Sequence, residues 1–431
     1  MPAATNDATG YGSEGIAPDL HPLGTRVMQA GFELWMLCAY HRVVVVPDDF
    51  LIEPGTLIAS NHQRDADGPL LGTVLVRRQG LRFRCPLPYF ATREDLFRPG
   101  ILSRLTVHWP PPLPGLLGRI SLAWFFPLGR AEPIRRVREF TLGEALCALR
   151  DEGLGDAACA SLLNARGRRE LGVAAELPLR DVLAAAPSLA LERWWGLRRL
   201  SVPALRRLAP AFRDTVDSQL ANFARRLDHG RSVYFAPEGT ISMDGRLSRI
   251  RGGCYRLVRM AESTPRILPV ALGYDTLGPG RSRVVVRIGT GFLADPGQDR
   301  RAFDARLRHA ILALAPITPS HLLARFLLRG PVLFTQDELA DWLARALDNL
   351  HDAQRSLDPL FAQRGVADVA GERIRWLEGK GLLVRRGALF HNACPRDADP
   401  GWRTPANVVR YLDNNLTDLA QTGACLPPCR N

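Results

Sequence analysis

Seven short apolar runs, rich in β-branched and aromatic residues, recur through the first 300 or so positions: "RVVVVP", "GTLIASN", "RCPLPYFA", "FFPLGR", "SVYFAPEG", "ILPVALGYD" and "RVVVRIGTGF". Helical stretches separate several of them. Short runs without strict alternation fit strands that are covered on both faces. Strand and helix alternating on this scale predicts an α/β fold, a central sheet with helices packed on both sides. Open sheets of this kind keep their chemistry in the loops that leave the C-terminal ends of strands.

A chain of 431 residues, 46% hydrophobic, exceeds one ordinary core and predicts two domains. We place the α/β domain at residues 23–317, behind a disordered leader at 1–22. The leader lacks a basic start followed by an apolar core, so it does not read as a signal peptide. An Ala/Leu/Arg-rich stretch from about 150 to 212 is expected as a helical insertion. In it Trp194 and Trp195 lie beside Arg193, Arg198 and Arg199, a pattern that suits either a lipid-headgroup interface or a lid with a solvated basic face. Residues 318–431 are expected to form a smaller, mainly helical domain. There "TQDE" at Thr335–Glu338 forms a capping box, and "RIRWLEGKGLLVRRGALF" has the outline of a winged helix.

The formal charge is +12 and Lys380 is the single lysine, so the positive charge is carried by arginine. A basic balance points to an anionic partner. Acidic and basic residues nearly cancel between 331 and 431, which argues against nucleic acid as that partner. The eight cysteines are scattered, as expected for free thiols in a reducing compartment; Cys425 and Cys429 have no partner pair to make a metal site, and none is expected. The longest apolar candidate for a span, "PGLLGRISLAWFFPLG", is short and broken by Arg119, so a bilayer crossing is not expected. Further upstream, Val27, Phe32, Leu34, Trp35, Leu37 and Cys38 share an apolar surface next to Arg26, His41 and Arg42. That surface either lies in a membrane interface or packs on the core.

The chemistry begins at "IASNHQRDADGPLL", residues 58–71. His62 and Asp67 are five apart, which on a regular helix leaves them about 140° out of phase, so they meet only across a turn. A turn between a strand ending at Asn61 and a helix starting near Gly68 supplies one. A carboxylate on one imidazole nitrogen fixes the tautomer and leaves the other nitrogen as a general base. A second block, "VYFAPEGTIS", is a strand ending in Pro237, Glu238, Gly239 and Thr240. Glu238 can accept hydrogen bonds from a polyol, and Gly239 allows close approach to the backbone.

In order and content these blocks resemble the glycerolipid acyltransferase superfamily, which includes the 1-acylglycerol-3-phosphate and glycerol-3-phosphate acyltransferases. Asn61, His62 and Asp67 match its N-H-x4-D block, "FAPEGTIS" is similar to its F-P-E-G-T-R-S block, and "LPVAL" at Leu268–Leu272 is similar to its fourth. The remaining block, an apolar strand ending in an arginine, looks like "WFFPLGR", which makes Arg130 the expected phosphate ligand. The arginine usual in the third block is Ile241 here, a departure that Arg246, Arg249 or Arg251 can offset.

The resemblance spans about residues 25 to 290 and implies a mixed sheet flanked by helices, with direct acyl transfer from acyl-CoA or acyl-ACP to an alcohol and no bound cofactor. His62 would be the base, Asp67 its orienter, and Asn61, Arg130, Glu238, Gly239, Thr240 and Arg251 would bind substrate. The acceptor would be a lysophospholipid or a glycerol phosphate, met at the cytoplasmic face of a membrane by a peripheral or monotopic protein. Two other classes fit the same residues: an acyl-thioester hydrolase, and an inactive scaffold acting through its C-terminal region.

Overall fold

The computed structural model describes residues 22–39, 42–47, 49–76, 78–79, 82–83, 87–97, 126–136, 139–185, 196–295, 297–418 and 426–428. Residues 1–21 of the expected leader, Arg119, Arg193, Trp194, Trp195, Cys425 and Cys429 lie outside them.

Among the described residues one large sheet holds eight strands. They are β1 (Arg42–Val46), β2 (Thr56–Ser60), β3 (Tyr89–Arg93), β4 (Ala131–Ile134), β5 (Val233–Phe235), β6 (Arg266–Asp275), β7 (Arg283–Ile288) and β8 (Phe292–Leu293). The spatial order is β1-β7-β6-β2-β5-β3-β4, with β8 also on β6. The β6–β7 and β6–β8 pairs are antiparallel and the other pairs are parallel.

Side chains along the strands alternate between two apolar interiors, as a pleat requires. Ile58, Phe90, Tyr234 and Leu272 face one, with Leu70, Leu71 and Leu75 of the helix Asp67–Val74 region above them. Leu57, Ala59, Val233 and Phe235 face the other, covered by Leu220 and Phe223 of Val202–Asp228, Leu257 of Gly253–Met260 and Leu307 of Arg300–Leu314. Burial on both faces explains why the central strands read as unbroken apolar runs.

One expected strand is absent. Phe126–Gly129 of "FFPLGR" forms a single 3-10 turn, and the strand starts after it, at Ala131. Pro127 and Gly129 favour a turn, and Arg130 leaves that turn at φ 53°, in the left-handed region.

A helical lobe lies between β4 and β5. Its interior joins Phe140, Leu142, Leu146, Leu163, Leu179, Leu200 and Leu208, separate from both sheet interiors. The chain returns from the lobe through the 27-residue helix Val202–Asp228, opened by a Ser201 cap on the Ala204 amide and a proline in its first turn. Within the lobe Arg199 is buried and donates from Nε to Glu170 at 2.9 Å, while Arg198 is exposed.

The C-terminal region packs Phe326, Phe334, Trp342, Ile374 and Phe390 into one core. Its helices Pro319–Arg329, Gln336–Asp352 and Val366–Gly379 surround a three-stranded sheet of Leu333–Phe334, Leu389–Asn392 and Leu383–Arg386. A capping box at Thr335 and Glu338 opens the middle helix. Buried charges join this region to the large sheet: Arg373 Nη2 donates to Asp275 Oδ2 at 2.8 Å, and Arg283 pairs with Asp358.

Among the described residues no helix is long and apolar enough to cross a membrane. The first helix, Pro22–Ala39, packs on Asp67–Val74 and on the Phe126–Gly129 turn. Val27, Ala30, Gly31, Leu34 and Cys38 are exposed along one side of it, Val27 at 66% and Leu34 at 64%. The side chains of Phe32, Trp35 and Leu37 lie outside the described set.

Candidate active site

His62 follows β2, and the Pro237–Thr240 loop follows its parallel neighbour β5, so both stand at the C-terminal edge of the sheet. Asn61 fixes where β2 ends. Its side-chain amide donates to the Leu272 carbonyl at 2.9 Å and accepts from the Leu272 amide at 2.8 Å, extending the ladder to β6 by one side chain. The chain then turns, and Asp67 opens the helix Asp67–Val74, where a carboxylate also suits the helix dipole.

Asp67 is fully buried and organises the turn. Its Oδ2 accepts from His62 Nδ1 at 3.0 Å, from the Gln63 amide at 2.6 Å and from the Arg64 amide at 2.9 Å; its Oδ1 accepts from the Tyr274 hydroxyl. With Nδ1–H donated to this carboxylate, the lone pair of the ring is on Nε2. The His62 side chain is 22% exposed, so that nitrogen belongs to an accessible ring. The arrangement is chemically a general base with its orienter.

Glu238 takes a different place from the one its type suggests. It is 1% exposed, and its oxygens accept from the His62 amide at 2.8 Å and the Ser248 amide at 2.7 Å. Burial pushes its carboxyl up to about 7, against the two amides that favour the charged form. Its evident work is to hold the His62 backbone, whose carbonyl also accepts from the Ser242 amide at 2.7 Å. Gly239 stands at φ +63°, which favours glycine, and its carbonyl accepts from the Arg136 guanidinium. Thr240 is half-buried, with its hydroxyl 3.4 Å from the Ile241 carbonyl. Arg251 is exposed and donates from Nε to the Glu238 carbonyl at 3.1 Å, which puts a cation beside the loop.

Arg130 is not part of this cluster. The register sets Phe90 opposite both Ala131 and Tyr234, and Val233 opposite both Tyr89 and Leu57, so Arg130 is level with Leu57 at the N-terminal edge. Three strand spacings and five residues of rise separate its backbone from that of His62 by on the order of 20 Å. Its Nη1 donates to the Leu87 carbonyl at 2.8 Å, with the guanidinium over the Tyr89 ring.

The strand that does end in arginines is β4, followed by Arg135 and Arg136. Arg135 is tied to Glu94 and Glu144. Arg136 and Arg93 converge on the buried Glu139, next to Gly239. The signal that could have found these arginines is "AEPIRR", a short run ending in a basic pair.

Comparison with known proteins bears on the second block. Residues 193–273 match the Acyltransferase family model. The resemblance to the glycerolipid acyltransferase superfamily holds. The matched segment, about a fifth of the chain, carries β5, Glu238, Gly239, Thr240, Arg251 and β6 as far as Gly273, whereas His62 and Asp67 precede it. Among solved structures, the 1-acyl-sn-glycerophosphate (LPA) acyltransferase PlsC from Thermotoga maritima is similar over 67% of this chain and 76% of its own, at 12% identity and a TM-score of 0.34. The comparison with curated proteins gives no match.

Proposed function

We propose that the protein moves a fatty acyl group from acyl-CoA or acyl-ACP to a hydroxyl of a lysophospholipid or glycerol phosphate. The observation that carries this reading is the His62–Asp67 pair, set within a turn that the acyltransferase-type loop itself holds through Glu238 and Ser242.

His62 Nε2 takes the proton of the acceptor hydroxyl as its oxygen attacks the thioester carbonyl. The tetrahedral intermediate then expels the thiolate, which takes the proton back from the imidazolium held by Asp67. No acyl-enzyme forms, and no bound cofactor is called for. The acceptor phosphate is held at Arg251, with Arg93 and Arg136 framing it; guanidinium groups suit paired phosphate oxygens. The distance of Arg130 from His62 supports moving that role away from it. Gly239 and Thr240 border the acceptor, while Asn61 and Glu238 act on the backbone that carries His62.

Incubation with labelled acyl-CoA and a panel of acceptors, followed by lipid extraction, tests the reading. New labelled lipid supports transfer, free acid alone points to a hydrolase, and no turnover points to a scaffold. Arg251→Gln is expected to raise KM for a phosphorylated acceptor about 10-fold or more, since a charge-assisted hydrogen bond is lost, and to spare an uncharged one. An equal effect on both acceptors would remove Arg251 from phosphate binding.

We place the protein at the cytoplasmic face of a membrane, docked through the exposed apolar side of Pro22–Ala39. This helix packs on the one that opens at Asp67, so its outer stripe would bring lipid close to the base. Val27 and Leu34, inserted, contribute about 1.5–3 kcal/mol each. The double variant Val27→Asp, Leu34→Asp is therefore expected to lose co-sedimentation with anionic vesicles; undiminished sedimentation would rule out docking through this helix.

A further inference from the structure

The last helix of the C-terminal region, Pro405–Asn415, reaches both segments that build the site, 348 residues away in sequence between Tyr411 and Gln63 and 169 between Tyr411 and Ser242. The Tyr411 hydroxyl donates toward the carbonyls of Gln63 at 3.5 Å and Ser242 at 3.3 Å. Asn414 Nδ2 donates to the Asp244 carbonyl at 2.8 Å, and Asn415 Oδ1 accepts from Gln63 Nε2 at 2.8 Å. The approach is tight: a Cβ at Gly245 would lie 2.1 Å from the Tyr411 carbonyl oxygen.

A second link lies just ahead of that helix. The Arg64 guanidinium carbon stands 3.5 Å from the centre of the Trp402 ring and 4.5 Å from that of Tyr274. Trp402 packs in turn against Tyr411, centroids 4.5 Å apart, and edge-on to Tyr274 at 5.8 Å. Tyr274 is the residue whose hydroxyl holds Asp67. Gln63 and Arg64, which give their amides to Asp67, are thus gripped by their side chains from the C-terminal region.

We propose that Trp402, Tyr411 and Asn415 are positioning residues for the reaction, clamping the His62–Asp67 turn through Arg64 and Gln63. The C-terminal region then serves catalysis through the turn it holds. This rests on the acyl-transfer reading for its kinetic consequence, though not for its structural one. A cation stacked on an indole and a side-chain amide hydrogen bond both restrain the turn.

The test uses the full chain with Trp402→Ala, Trp402→Phe and Asn415→Ala. Displacing a base by about 1 Å costs on the order of 100-fold, so kcat is expected to fall about 10- to 100-fold in the alanine variants. KM for the acyl donor is expected to stay within about 2-fold, and Trp402→Phe, which keeps an aromatic face, to recover most of kcat. The low-field proton resonance of His62 Nδ1–H, assigned by its loss in His62→Ala, gives a readout independent of turnover. It is expected to weaken in the alanine variants and to persist in Trp402→Phe. Should the protein transfer no acyl group, the function reading fails while the resonance still decides the clamp. Should Trp402→Ala not fold, half-buried Asn415 decides it. Folded alanine variants with unchanged kcat and an unchanged resonance would overturn the proposal.

Discussion

His62→Ala is expected to lower turnover by about 10²- to 10⁴-fold, the contribution of a well-placed general base. The loss should appear in kcat and kcat/KM alike, because the imidazole acts on the proton as the transition state forms. The fold should survive. The bond of the ring is to Asp67, whereas the His62 backbone is held by Glu238 and Ser242 and keeps those bonds in the variant. Turnover of labelled acyl-CoA, with circular dichroism and thermal unfolding as the folding control, checks both halves. Wild-type turnover in a folded variant would remove His62 from the chemistry.

Asp67→Asn is expected to cost about 10²-fold or more in turnover while leaving the structure nearly intact. An asparagine can place its oxygen where Oδ2 accepts from His62, Gln63 and Arg64, and can donate from its nitrogen to the Tyr274 hydroxyl. What it cannot supply is the negative charge that stabilises the imidazolium. Asp67→Ala differs in kind. It orphans buried donors at about 1–3 kcal/mol each, so its melting temperature should drop well below that of the asparagine variant. Parallel melting curves and rates separate the two effects; an asparagine variant as active as wild type would show that the charge does not matter.

The sheet was legible because its central strands are buried on both sides, which left runs such as "TLIAS" and "ILPVALGYD" without polar interruptions. The His62–Asp67 turn was legible from residue types and spacing, since no helix brings those two together. Arg130 was misread because "WFFPLGR" is apolar enough to pass for a strand; its Pro and Gly make it a turn, and the register then sends it to the far edge. Glu238 misled in another way. A carboxylate after a strand reads as a ligand for polyols, and only the fold reveals that backbone amides occupy it. Nothing local could have pointed to Trp402, Tyr411 or Asn415, because their effect on the turn exists only once the last helix has come home.

The lobe between β4 and β5 closes on its own interior, and among the described residues half-buried Val216 touches both that interior and the sheet's. Substitutions deep inside the lobe are therefore expected to reach the sheet mainly where the two share the helix Val202–Asp228 and where Arg135 stacks on Phe140. Such a part can be exchanged for another of different shape by grafting at its two stems, which would let substrate preference drift while the reaction centre stays fixed.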